Sequence, residues 1–198
     1  MNFLAHIWLS GPDTGLQVGN FLADFIGPQE QAALPQSVRR GVRMHHVIDR
    51  YTDDHPAVRH SVELLRPEHG RYAPVVLDVL LDYILIHNWD RYSDLPLRGF
   101  TSTVYEVLMG HRDLMPAMLR ERWLPAMVAD DWLMRYGTVE GLSETFRRMG
   151  RRCSKPWFLD GATASLGQHY ADLEADFHRF FGELQTHLDT WRRENPCG

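Results

Sequence analysis

The stretch LGQHYADLEADFHRFFGELQTHLDTW, residues 166–191, decides the fold class. In it Leu166, Tyr170, Leu173, Phe177, Phe180, Leu184, Leu188 and Trp191 recur at three- and four-residue steps with charged residues between them. That period lays the apolar side chains along one side of a helix. It predicts a single long amphipathic helix packed on the rest of the chain. Working outward, no set of alternating four-to-eight-residue runs separated by hairpin signals occurs anywhere, so the expectation is an all-α, compact multi-helix domain spanning 1–198. Thr14 is placed to cap a helix through Ile26 that stops at Gly27-Pro28. Pro35 sits just inside a second helix running through Tyr51, and Pro56 interrupts the segment after it. Pro74 starts a helix over 74–91, and further helices are expected over 99–110, 114–136 and 139–149.

The balance of charge narrows the function. The 198 residues carry a net charge of −5, which argues against a protein whose main task is gripping a nucleic-acid backbone. Cys153 and Cys197 have no metal-finger spacing, and a reducing cytoplasm is the natural setting. The N-terminal MNFLAHIWLSG has no basic region ahead of its apolar residues and does not resemble a secretory signal. The most apolar stretch, 73–86, is short for a membrane span and carries Asp78 and Asp82, so it reads as a buried helix with no membrane role. Eleven histidines in a chain of this size direct attention to metal or acid–base chemistry.

Three segments place carboxylates and imidazoles on apolar helices. In GLQVGNFLADFIG (15–27), Asn20 and Asp24 lie four apart on one side, with Asp24 expected near the core and in need of a partner there. In MHHVIDRYTDDH (44–55), His45 and Asp49 lie one turn apart on the apolar side and can converge on one ion. His46, Asp49 and Asp53 make an overlapping row. In LDVLLDYILI (77–86), Asp78 and Asp82 share a face of a helix of Val, Leu, Ile and Tyr, and repel unless a cation, a shared proton, or an Arg or Lys from elsewhere neutralises them. His6 gains interest only from such company. Mixed nitrogen and oxygen donors favour Mn²⁺, Mg²⁺, Fe²⁺ or Zn²⁺, and the reaction such a site performs best is hydrolysis at phosphorus. Packing and salt bridging remain the competing explanation for each of these residues.

The same segments resemble a known family. MNFLAH at the start, GNFLADF at 19–25, MHHVIDRYTDDHP at 44–56 and LDVLLDYILIHNW at 77–89 are similar to the acyl carrier protein phosphodiesterases. The resemblance implies a helical, noncanonical relative of the HD phosphohydrolases. It also implies a divalent cation, Mn²⁺ for preference, and removal of the 4′-phosphopantetheine arm from the serine of holo-acyl carrier protein. It places functional positions on His6, Asp24, His45, Asp49, Asp53, Asp78 and Asp82. The chain has no adjacent His-Asp pair, so the usual HD signature does not assign ligands. The working assignment is metal binding by His6, Asp24, His45, Asp49 and Asp82, with Asp24, His45 and Asp78 in catalysis, Asp78 either as a ligand or orienting a histidine.

An acidic carrier protein calls for local basic surface. Arg39, Arg40 and Arg43, and Arg147, Arg148, Arg151 and Arg152 in FRRMGRRC, supply two clusters. The aromatic-rich region 123–157 is expected to be mainly core. The alternatives are an HD-type hydrolase of nucleotides or small phosphodiesters, and a noncatalytic helical binding protein.

Overall fold

The computed structural model describes residues 1–151 and 153–196, and among these residues every regular element is a helix. In chain order they are α1 (Phe3–Leu9), α2 (Thr14–Leu22), α3 (Pro28–Ala33), α4 (Gln36–Asp54), α5 (Pro56–His69), α6 (Ala73–His87), α7 (Leu97–Gly110), α8 (Leu124–Ala129), α9 (Trp132–Arg135), α10 (Val139–Gly150) and α11 (Ala162–Glu194). No described helix is long and apolar enough to cross a membrane.

The long C-terminal helix forms as its periodicity requires. Its Phe177, Phe180, Phe181, Leu184 and Leu188 are almost fully buried, and it packs along α4, α5, α6 and α10. Side chains of this size each contribute about 1.5–3 kcal/mol on full burial. The punctuation differs from expectation in several places: α4 begins after Pro35 and runs to Asp54, and α6 ends at His87 instead of 91. Asp13, not Thr14, caps α2, its carboxylate accepting the Leu16 N–H at 3.1 Å, and α2 ends at Leu22, leaving Asp24 on the turn beyond it. Pro56 starts a helix instead of interrupting one, because the first helical turn needs no proline N–H and the His55 ring accepts the Ala57 N–H. The expected helix over 114–136 is broken into a wide turn at Leu119–Trp123, α8 and α9, with Pro125 in the first turn of α8 and Asp131 in the left-handed region at φ 49°.

One contact fixes how the polar faces of the first helices meet. Helices α2 and α4 cross with backbone against backbone at Gly19 and Gly41. A Cβ on Gly19 would lie 1.9 Å from the Val38 carbonyl oxygen, and one on Gly41 would lie 2.5 Å from that of Leu16. Only glycine permits this approach. It brings the face of α2 carrying Asn20 against the face of α4 carrying His45, while α1 packs on α2 and α6 and adds His6.

Candidate metal centre

His6 of α1 and His45 and Asp49 of α4 converge so that one ligand atom from each lies within 4.8 Å of the others. His45 Nε2 is 3.0 Å from Asp49 Oδ2 and 3.4 Å from Asp24 Oδ1, and His6 Nε2 is 3.3 Å from Asp49 Oδ1. The two imidazoles are stacked with centroids 4.3 Å apart. Both rings are almost fully buried, whereas Asp24 and Asp49 are about half exposed, so the group faces solvent through its carboxylates. Behind the rings stands Asn20, itself buried. Its side-chain oxygen lies 2.9 Å from His6 Nδ1 and 3.0 Å from His45 Nδ1.

This arrangement dictates the electrostatics. Burial works to lower the His45 pKa, but hydrogen bonds to Asp24 and Asp49 overcome it and raise the ring to about 9. His6, more deeply buried, is lowered, chiefly by desolvation. Asp49 is held well below the carboxylate range despite partial burial, because both imidazoles lie against it, His45 the more closely. His6 Nε2 is a buried nitrogen whose 3.3 Å approach to Asp49 Oδ1 falls short of a well-formed hydrogen bond. Such a group is costly unless something completes it. Two imidazole nitrogens with two carboxylates suit a divalent cation of borderline to hard character, so the residues present fit the expected ion.

The structure places the other predicted residues differently. Asp82 is fully buried on α6, and its two oxygens accept the N–H groups of Leu4 at 3.0 Å and Ala5 at 3.2 Å, the first turn of α1. Burial raises its pKa to about 7 against the pull of those two bonds. Asp78 pairs with the buried α-amino group of Met1 at 3.0 Å. In the structure this carboxylate pair meets an ammonium group and helix-start amides, and neither aspartate joins the group of three among the described residues. Asp24 is exposed instead of near the core, because α2 ends before it. Asp53 is exposed too, and its pKa is raised by partial burial and by the charges of Asp78 and Asp49. Asn20 is visible in the sequence as a polar residue on an apolar helix one turn before Asp24, but carries no titratable signal.

A cleft of about 450 Å³ opens beside the centre. Asp24 and Asp78 stand in its wall with Phe3, Phe25, Trp123 and Trp132, so part of the aromatic region expected to be core packs on the core and also lines this cleft. Among the arginines, Arg40 is not surface. It is buried, donates to the Asn195 carbonyl at 2.5 Å, pairs with Asp13 at 3.2 Å and stacks on Trp191. Arg39, Arg43 and Arg151 are exposed. Arg147 and Arg148 both bond to Glu144, and Arg148 stacks on Trp132 in the cleft wall. Arg152 lies outside the described residues.

Comparison with known proteins fixes the class of chemistry. The family described as acyl carrier protein phosphodiesterase matches residues 1–184. Proteins named acyl carrier protein phosphodiesterase are similar over nearly the whole chain. That of Photorhabdus laumondii is 32% identical over 183 residues, covering 91% of each chain. That of Escherichia coli O157:H7 is 33% identical over 186 residues, 93% of this chain and 95% of the relative. That of Yersinia enterocolitica is 32% identical over 188 residues, 94% and 96%. No solved structure matches the chain significantly. The molecule is thus a helical hydrolase of phosphoric diesters. It belongs to the acyl carrier protein phosphodiesterase family.

Proposed function

We propose that this enzyme hydrolyses the phosphodiester joining 4′-phosphopantetheine to the serine of holo-acyl carrier protein, releasing apo-carrier and 4′-phosphopantetheine, with a divalent cation, Mn²⁺ for preference, held by His6, His45, Asp49 and Asp24. The observation that carries the metal part of this reading is the buried Nε2 of His6, which has no well-formed hydrogen bond and faces the same Asp49 carboxylate as His45 Nε2. When bound, such an ion supplies positive charge for the phosphoryl oxygens and acidifies a water. Asp24, half exposed at the cleft, would orient the attacking water and accept its proton through the carboxylate oxygen not turned to His45. His6 and His45 would offer Nε2 as donors to the cation once His45 has given up its proton, their Nδ1 sides satisfied by Asn20. The arm lies along the apolar wall of Phe3, Phe25, Trp123 and Trp132, which shields the reacting phosphate from bulk water. Arg39, Arg43 and Arg151 meet the acidic carrier, while Arg148 contributes from inside the cleft. A distant kinship with the HD phosphohydrolases is part of this proposal.

Intact mass spectrometry of holo-carrier incubated with the enzyme tests the reading. With Mn²⁺ the carrier converts to its apo mass and free phosphopantetheine appears; with chelator it does not. Conversion in chelator overturns the metal assignment. Absence of conversion with cation bound and the protein folded overturns the substrate and moves it toward nucleotides or another phosphodiester.

A further inference from the structure

Asn20 is a neutral side chain buried to about 1% exposure at the back of the two histidines, and all of its polar capacity is spent in a definite direction. Its amide nitrogen donates to the His6 main-chain carbonyl at 2.9 Å and to Ser10 Oγ at 3.0 Å. A main-chain carbonyl can only accept, so the amide cannot be reversed: the NH₂ faces His6 O and the side-chain oxygen faces the rings. That oxygen can likewise only accept, and it receives Nδ1 of His6 at 2.9 Å and Nδ1 of His45 at 3.0 Å. Each Nδ1 that meets it therefore carries a hydrogen; in the neutral rings this leaves the Nε2 lone pairs facing Asp49 and Asp24, whereas protonated His45 carries a second hydrogen on Nε2.

We propose that Asn20 is the positioning residue of the centre, a single amide oxygen that locks both imidazoles in the Nδ1–H tautomer and at fixed tilt, so that two Nε2 donors are presented together. The purpose of this lock rests on the metal reading of the site, and the tautomers rest on geometry alone. The Gly19–Gly41 contact holds Asn20 at the required distance from His45. The two rings do not depend on Asn20 equally. His45 Nδ1 also lies 3.0 Å from the Asn20 main-chain oxygen, which any residue at position 20 retains, whereas His6 Nδ1 has the side-chain oxygen as its acceptor. Loss of the amide oxygen thus frees His6 first.

Two variants separate positioning from packing. Asn20→Asp keeps an oxygen facing both rings but loses the donors to His6 O and Ser10. Asn20→Leu loses both. A merely structural role is damaged in either variant, and a positioning role only in Asn20→Leu. The tautomers are read by long-range ¹H–¹⁵N NMR on cation-free protein at about pH 10, where both rings are neutral. Affinity is read by titration of Mn²⁺ against a chelator. The expected result is Nδ1–H on both rings in wild type and in Asn20→Asp, and in Asn20→Leu a mixture at His6 with His45 unchanged. Cation affinity should fall about 10–100-fold in Asn20→Leu, the scale for groups that orient ligands, and only a few-fold in Asn20→Asp. Nε2–H rings in wild type, or equal affinity of Asn20→Leu and wild type, overturns the proposal. Wild type with Nδ1–H rings and no cation affinity overturns the metal reading and, with it, the purpose assigned to Asn20.

Discussion

Two groups of polar residues sit in the apolar interior of this enzyme, and the chain completes them in opposite ways. The Asp78–Asp82 pair on α6 is neutralised from within, by the Met1 ammonium group and by the first amides of α1. The His6–His45–Asp49 group is fixed on its far side by Asn20, pairs its rings only with Asp49 and Asp24 on the near side, and leaves those carboxylates half exposed. Equal sequence signals, paired ionisable residues one helical turn apart, thus yield one internal clasp and one open site. What distinguishes them is whether a backbone donor reaches the pair first.

The sharpest way to break this contrast is to remove one member of each group. Asp49→Asn should lower turnover of holo-carrier about a thousandfold, the rate equivalent of losing some 4 kcal/mol of transition-state stabilisation, while the Tm in chelator stays within a few degrees of wild type. A variant that keeps its activity would remove Asp49 from the centre. Asp82→Ala should do the reverse, destabilising the protein by about 2–3 kcal/mol because buried amides of Leu4 and Ala5 lose their acceptor. Its folded fraction should still bind one cation. If denaturant melts show unchanged stability and cation binding is lost, Asp82 is a ligand and the contrast fails.

A smaller effect distinguishes the two groups by pH. His45 has a folded pKa of about 9 against an ordinary 6.5, so its contribution to stability is full below about pH 6.5 and is lost as the pH rises through about 9. The cation-free protein should lose on the order of 1–2 kcal/mol across that window, a modest figure because its carboxylate partners are half exposed. Asp49→Asn should flatten the profile. Cation affinity should rise across the same window as the proton leaves His45. A Tm that does not change between pH 6.5 and 9 in chelator would show that the ring is not held protonated. Smallest of all, Arg43→Ala with Arg151→Ala should raise the KM for carrier about threefold at low salt and less at high salt. Arg40→Ala, in contrast, should register as a loss of stability, since its guanidinium ties α4 to the C-terminal segment.

The helices are legible in the sequence wherever an apolar stripe runs long enough to average over exceptions, as in α11. The breaks are less so. Pro56 reads as an interruption until its place in a first turn is known, and the wide turn at Leu119–Trp123 leaves no mark that distinguishes it from helix. Within the site, helical spacing points to His45, Asp49 and Asp24, which the structure brings together with His6. It cannot reveal the fate of Asp82, because the amides that claim it come from a helix 77 and 78 positions away. Arg40 looks like surface for the same reason: Trp191 and Asn195 cover it from the far end of the chain. Asn20 is visible only as the polar neighbour of Asp24, because spacing does not show which rings its amide will meet.

The glycine crossing of α2 and α4 has a bearing on how the enzyme could be altered. The separation between Asn20 and His45 is set by main-chain atoms in contact, so no side-chain rearrangement elsewhere in the interior can widen or narrow it. Most of the molecule can then be repacked, stabilised or reshaped for other arms without retuning the centre. Conversely, a single added methyl at position 19 or 41 acts as a shim, prising the donors apart while leaving every one of them in place.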